Sequence, residues 1–186
     1  METLQPGHYW KTPFYWEPGC PEPPPDAGRL VFAEPDEEWL RMAIGRVMEE
    51  GTDESDRYTV PLIGLAAAVD ELYEILPRYF ERPAAWWRVA RDAGGRPVGF
   101  VLPVRFKEDR FWKERRPQGT ILYMGVLPES RGNGYATDLV HEATRIFLRA
   151  DCWRVFCDTG SDNAAMVKAF RNAGYTERQP WQRPLR

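Results

Sequence analysis

The sequence predicts an α/β fold: a mixed central sheet with helices on both faces. Three observations predict it. Short runs rich in β-branched and aromatic residues, "GRLVFAEP", "RPVGFVLPVRF", "TILYMGVLP" and "WRVFCD", read as strands. Longer runs between them carry apolar residues at helical spacing. A glycine-rich turn, "ESRGNGYA", leads from the third of those strands straight into a helix.

The elements follow in order. Residues 1–28 read as an irregular arm, because "PGCPEPPPDAG" is too proline-rich for helix or ladder. The arm also holds Tyr9, Trp10, Phe14, Tyr15 and Trp16. That much apolar surface predicts packing on the body or on a second subunit, so a homodimer is among the expectations. Residues 29–186 read as a single domain. "GRLVFAEP" is a short strand. "PDEEWLRMAIGRVMEEG" is a helix, with acids in its first turn and Gly51 after its end. "PLIGLAAAVDELYEILPRYF" reads as one second helix with Pro61 in its first turn.

A hairpin comes next, "AWWRVAR" and "RPVGFVLPVRF" about the turn "DAGG", and Pro103 predicts a bulge or an edge. "KEDRFWKERRPQG" is a charged loop and "TILYMGVLP" the next strand. A helix over 136–150 shows Ala136, Leu139, Val140 and Ala143 on one face. "WRVFCD" is a strand. Ser161 could cap a helix from about Asn163 to Ala173, closed by Gly174. "YTERQPWQRPL" is a last strand or a tail.

Composition narrows the function. At 43% hydrophobic residues the 186-residue chain is globular, and its longest apolar run is too short to span a bilayer. The opening stretch has no basic segment and no apolar core of a signal peptide. Cys20, Cys152 and Cys157 show no CxxC spacing, and the chain has two histidines. The expectation is a cytoplasmic protein without a metal site. Residues 1–80 hold 16 acids and 6 bases, residues 81–186 hold 12 and 19. Either charge segregates on solvated faces, or one half meets a cation and the other an anion. The bases in "RFKEDRFWKERR" alternate with acids, so no nucleic-acid role is expected, and no membrane role either.

The turn of residues 129–136 is shaped to hold an anion. Gly132 and Gly134 let consecutive backbone N–H groups point inward, the helix dipole adds positive potential, and Arg131 adds a charge. A P-loop is excluded, since Tyr135 and Ala136 follow the last glycine where Lys and Ser or Thr would stand. A dinucleotide fingerprint lacks its third glycine.

"YMGVLPESRGNGYATDLV" resembles the acetyl-CoA loop of the GCN5-related N-acetyltransferase superfamily (GNAT), with Arg131, Gly134 and Ala136 at the signature positions. "DNAAMVKAFRNAGY" resembles that family's second signature, with Asn163 opening the last helix and Gly174–Tyr175 closing it. The resemblance covers residues 28–175 in element order. It implies a sheet of about six or seven strands, two of which, "TILYMGV" and "WRVFCD", splay to form the acetyl-CoA cleft. It implies acetyl transfer from acetyl-CoA to a primary amine of a small acceptor by direct ternary-complex transfer. It assigns the cofactor to Met124, Val126, Arg131, Gly132, Asn133, Gly134, Tyr135, Ala136 and Asn163. The Met124 backbone N–H would face the thioester carbonyl and stabilise developing oxyanion charge. A non-catalytic acetyl-CoA sensor and a protein N-terminal or lysine acetyltransferase are the alternatives.

The sequence also departs from that family. The usual acid, a tyrosine seven residues after the Asn, is Phe170, and the usual base glutamate is Thr120. Asp158 then becomes the candidate base and Tyr123 the candidate acid. Each has an alternative: Asp158 as a turn-former, Tyr123 as core.

Overall fold

The computed structural model describes residues 3–25, 28–83 and 85–185, and of Asp109 the backbone alone. Nine strands form one mixed sheet among these residues. They are β1 (His8–Trp16), β2 (Val31–Ala33), β3 (Phe80–Glu81), β4 (Arg88–Arg91), β5 (Pro97–Phe106), β6 (Gln118–Val126), β7 (Arg154–Gly160), β8 (Thr176–Glu177) and β9 (Trp181–Pro184). The helices are α1 (Glu37–Glu49), α2 (Glu54–Ile63), α3 (Leu65–Tyr79), α4 (Tyr135–Arg149) and α5 (Ala164–Asn172). The strand order is β2-β4-β5-β6-β7-β1-β8, with β3 on β5 and β9 on β1. The expected mixed sheet with helices on both faces is therefore present.

Strand β5 shows why helices cover both faces. Phe100 and Leu102 point into one core, with Leu40, Ile44 and Val69 of α1 and α3. Val101, between them, points into the other, with Leu139, Val140 and Phe147 of α4. A strand buried on both sides needs apolar residues at successive positions, and "VGFVLPV" supplies them. The register slips between Leu102 and Pro103, where a bulge was expected.

Three expectations are corrected. Residues 8–16, read as part of an irregular arm, are strand β1. It pairs antiparallel with β7 from Lys11↔Gly160 to Trp16↔Val155, and with β8 and β9 beyond. Tyr9, Phe14 and Trp16 are buried within this chain, and Phe14 stacks on Phe170 at 4.9 Å. Residues 1, 2, 26 and 27 of the arm lie outside the described residues.

The single helix expected after Gly51 is two. Pro61 lies in the last turn of α2 rather than the first turn of a longer helix, and Gly64, at φ 85°, separates α2 from α3. That backbone conformation suits glycine, so the chain turns there and α3 starts on a new axis. Helix α5 is capped by Asn163, not Ser161: the Asn163 side chain accepts from the Met166 N–H.

A candidate active site between splayed strands

Parallel strands β6 and β7 pair only at Gln118↔Arg154 and Gly119↔Val155. Beyond that point they diverge, although each continues for several residues. A cleft of about 980 Å³ opens there. It reaches from the residue 130–137 turn, along Met124 and Asn163, to the wall made by α2 and α3.

At one end the turn has the predicted form. Gly132 and Gly134 hold φ of 83° and 78°, the left-handed region, and Gly134 is the residue before α4. A Cβ built on either glycine meets no atom within 4 Å, so the loop faces open space. Asn133 closes the turn itself, donating from Nδ2 to the Ser130 and Arg131 carbonyls. Arg29 braces it from outside, donating to the Asn133 carbonyl at 2.7 Å. Arg131 donates to the Val126 carbonyl at 3.4 Å and the Glu50 carbonyl at 3.2 Å, tying the turn to the end of α1. Tyr135 packs against the α4-side core, and Ala136 lines the cleft. The turn thus has the shape and charge for a pyrophosphate: a glycine cradle that a Cβ would fill, at the N-terminus of a fifteen-residue helix. Met124 and Val126 line the cleft from β6, on the strand that loses its parallel partner after Gly119.

Asn163 sits at the edge of the same cleft, buried to 4% exposure. Its Oδ1 accepts from the Met166 N–H and from the Thr52 hydroxyl, both at 3.3 Å. Thr120 is buried in β6 and Phe170 belongs to the core, so neither takes the catalytic place that its position would otherwise suggest.

The acidic side chains are arranged differently from the expectation. Asp158 lies inside β7, two residues before the strand ends, and not at a turn. Its Oδ1 is 3.1 Å from Lys11 Nζ of β1, in a largely buried ion pair. Burial works against the Lys11 charge, but Asp158 and Asp53 outweigh it and raise the ammonium above its ordinary value. The charge of Asp158 is therefore matched within the protein.

Asp53 is a structural anchor. It caps α2 through the Ser55 N–H at 3.0 Å. It also accepts from the Gly160 N–H at 2.7 Å and the Thr159 hydroxyl at 3.0 Å, joining α2 to the end of β7. Burial opposes its ionisation, yet Lys11 and these donors hold its carboxyl below the ordinary value. Helix α2 has no fully buried side chain; Val60 and Asp56 are part-buried, and polar links such as these and the Arg57–Asp162 ion pair help fix its position.

One turn along α2 is Asp56. It accepts a hydrogen bond from the Tyr123 hydroxyl at 2.7 Å, and both residues line the cleft. Burial pushes the Asp56 carboxyl up to about 6; the Tyr123 bond pulls it back only in part, and Asp53 adds repulsion. Burial, then the neighbouring Asp56, push the Tyr123 phenol well above its ordinary value, so it stays protonated. Tyr123 stacks on Phe100 at 6.1 Å, and is thus both part of the core and a cleft phenol.

The structure brings Tyr123, Met124, Val126, Asp158, Asn163 and the turn into one cleft. Asp56 is what sequence reasoning missed. The available signal was the acidic cluster "DESD" between two helices, which helix periodicity alone does not single out.

Among the described residues no helix is long and apolar enough to cross a membrane. Compared with curated proteins, the sequence finds no match. Solved structures show the same fold at low identity. A GCN5-related glucosamine N-acetyltransferase region of a fungal multi-domain GH3 β-N-acetylglucosaminidase is 13% identical, with a TM-score of 0.60 over 93% of this chain and 20% of that one. An acetyltransferase of the GNAT family from Colwellia psychrerythraea is 14% identical, with a TM-score of 0.59 over 94% and 55%. An acetyl transferase from Pyrococcus furiosus is 18% identical, with a TM-score of 0.58 over 81% and 95%. This chain spans about a fifth of the fungal protein and about half of the Colwellia one. Residues 66–175, which contain the turn, the splayed strands and Asn163, match the acetyltransferase (GNAT) family. The chain belongs to the acetyltransferase (GNAT) family.

Proposed function

We propose that the protein transfers an acetyl group from acetyl-CoA to a primary amine of a small acceptor, directly and within a ternary complex. The observation that carries this reading is the Asp56–Tyr123 pair, a carboxylate with a value near 6 bonded to a protonated phenol inside a cleft that leads to an anion-binding turn. Acetyl-CoA supplies an activated thioester. The backbone N–H groups of residues 132–136 suit its pyrophosphate, and Arg131 raises the potential there. Met124 offers its backbone to the thioester carbonyl.

Asp56 does the work of the base. An amine is mostly protonated at neutral pH, and only its neutral form attacks a carbonyl carbon. The Asp56 carboxylate attracts the ammonium and takes one proton, directly or through a water. A new C–N bond forms, the C–S bond breaks, and the departing sulfur needs a proton. Tyr123 holds one on its hydroxyl, and Asp56 can return the proton it took to that phenol. The nitrogen sheds a second proton as the amide forms, which the freed Asp56 carboxylate takes and passes to water, so amide and thiol are both neutral.

The test is release of free CoA thiol from acetyl-CoA with a panel of primary amines, wild type against Asp56→Asn. Amine-dependent release that falls at least a hundredfold in the variant is expected. Amine-independent hydrolysis alone, or equal rates in the two proteins, overturns the reading.

A further inference from the structure

Beyond Asp56 the cleft runs out between α2 and α3 on one side and the ends of β3 and β5 on the other. Its wall there is apolar: Val60 of α2, Leu72, Ile75 and Tyr79 of α3, Phe80 of β3 and Phe106 of β5. Phe80 and Phe106 face each other across the β3–β5 pair, with ring centroids 5.0 Å apart. Tyr79 continues the patch, 6.3 Å from Phe80, and remains 42% exposed. Aromatic surface of this kind, part-exposed in the same cleft as Asp56, has a cost in water that a ligand can relieve.

The charges around it are equally informative. No residue between 52 and 80 that lines the cleft is basic. The basic side chains of the lining lie elsewhere: Lys11 in its pair with Asp158, Arg131 on the turn, Lys168 on α5 and Arg183 on β9. Asp53 is held by three donors. The pocket therefore offers the Asp56 carboxylate at its inner end, Glu71 on α3, and apolar surface along much of its length. We infer that the acceptor is an amine with an apolar, aromatic-sized body and no carboxylate, its ammonium at Asp56 and its body against Ile75, Tyr79, Phe80 and Phe106. An α-amino acid would set its carboxylate beside Asp56 with no cation on the α2–α3 wall to hold it. An aminosugar would leave hydroxyls against apolar surface, and a flexible polyamine has no ring to cover Phe80 and Phe106.

This inference rests on the acetyl-transfer reading above, and its test separates the two. The probes are phenethylamine, phenylalanine with the same ring and a carboxylate, ethanolamine with no apolar body, and spermidine. The expected kcat/KM for phenethylamine is at least tenfold above each of the others. Ile75→Asn should lower it at least fivefold while changing ethanolamine less than twofold, and Ile75→Leu should restore it. Faster turnover of any of the other three overturns the acceptor class and leaves acetyl transfer standing. Binding gives a readout independent of turnover: phenethylamine is titrated by calorimetry into protein saturated with CoA. A dissociation constant unmoved by Ile75→Asn overturns the inference even if no amine is acetylated. Failure to consume acetyl-CoA with every amine, with phenethylamine still bound through Ile75, counts against the transfer reading and for the pocket.

Discussion

The Tyr123 hydroxyl donates to Asp56 at 2.7 Å, across 67 residues of sequence and from a strand of the sheet to an outlying helix. Neither group is unusual alone. Together, inside a cleft, they form a proton reservoir: a carboxylate with a value near 6 beside a phenol that does not ionise. Such a pair can accept a proton at neutral pH and deliver one elsewhere.

Replacing Asp56 by Asn should lower kcat/KM by a hundredfold to ten-thousandfold while leaving acetyl-CoA affinity within twofold. In wild type, kcat/KM should rise with pH through an apparent value near 6, and that limb should vanish in the variant. Stability should move the other way. The folded chain favours protonated Asp56, so its stabilising contribution is complete below about pH 4 and is lost as pH rises through 6. At pH 8 the cost is about 3 kcal/mol at most, and Asn avoids it. The variant should melt several degrees higher than wild type at pH 8, with the gap closing toward pH 4. A calorimetric melt at the two pH values checks this.

Tyr123→Phe keeps the ring on Phe100 and removes the hydroxyl. Turnover should fall by about tenfold to a thousandfold, with KM for acetyl-CoA changed less than twofold. Asp56 also loses a donor that favours its charged form, so the pH limb should shift upward. A wild-type pH profile in the variant would place the acid elsewhere.

Lys11→Met should destabilise the protein by about 3 kcal/mol, because it strands Asp158 in a largely buried site. Lys11→Met with Asp158→Leu should recover most of that loss. Asp158→Asn alone should change kcat less than tenfold. A larger loss of turnover, with the melting temperature unchanged, would return the base role to Asp158.

Gly134→Val tests the turn. Its added Cβ meets no protein atom, so the burden is backbone strain at φ 78°, about 1–2 kcal/mol, together with obstruction of the open side of the loop. Acetyl-CoA binding measured by calorimetry should weaken at least tenfold, about 1.4 kcal/mol. Unchanged affinity in a folded variant would remove the turn from the cofactor site.

Local signals made much of the fold legible. The turn needs glycines at two φ-positive positions and a helix directly after, so its residues are adjacent in sequence. The same holds for α1 with acids in its first turn and for the hairpin about Asp92, whereas the cap of α5, expected at Ser161, is Asn163. Strand β1 was read as part of an arm because "PGCPEPPPDAG", which follows it, is too proline-rich for helix or ladder. The pairing that makes it a strand is with β7, 139 to 149 residues away (155 − 16 and 160 − 11), and no local pattern reports a partner so distant. The break at Gly64 was missed because Pro61 satisfies the rule for a helix start.

The sequence by itself determined the class of fold, the glycine turn before α4 and the strand that carries Tyr123 and Met124, since each rests on spacing within a short stretch. The tertiary structure alone set Asp53, Asp56 and Asp158 apart. The three are alike as sequence. Folding gives Asp53 three donors, gives Asp158 a lysine, and gives Asp56 burial and a phenol. A carboxylate's proton affinity is set by the charges and water within a few ångströms, and those neighbours come from β1, β6 and β7, brought to α2 only by the fold.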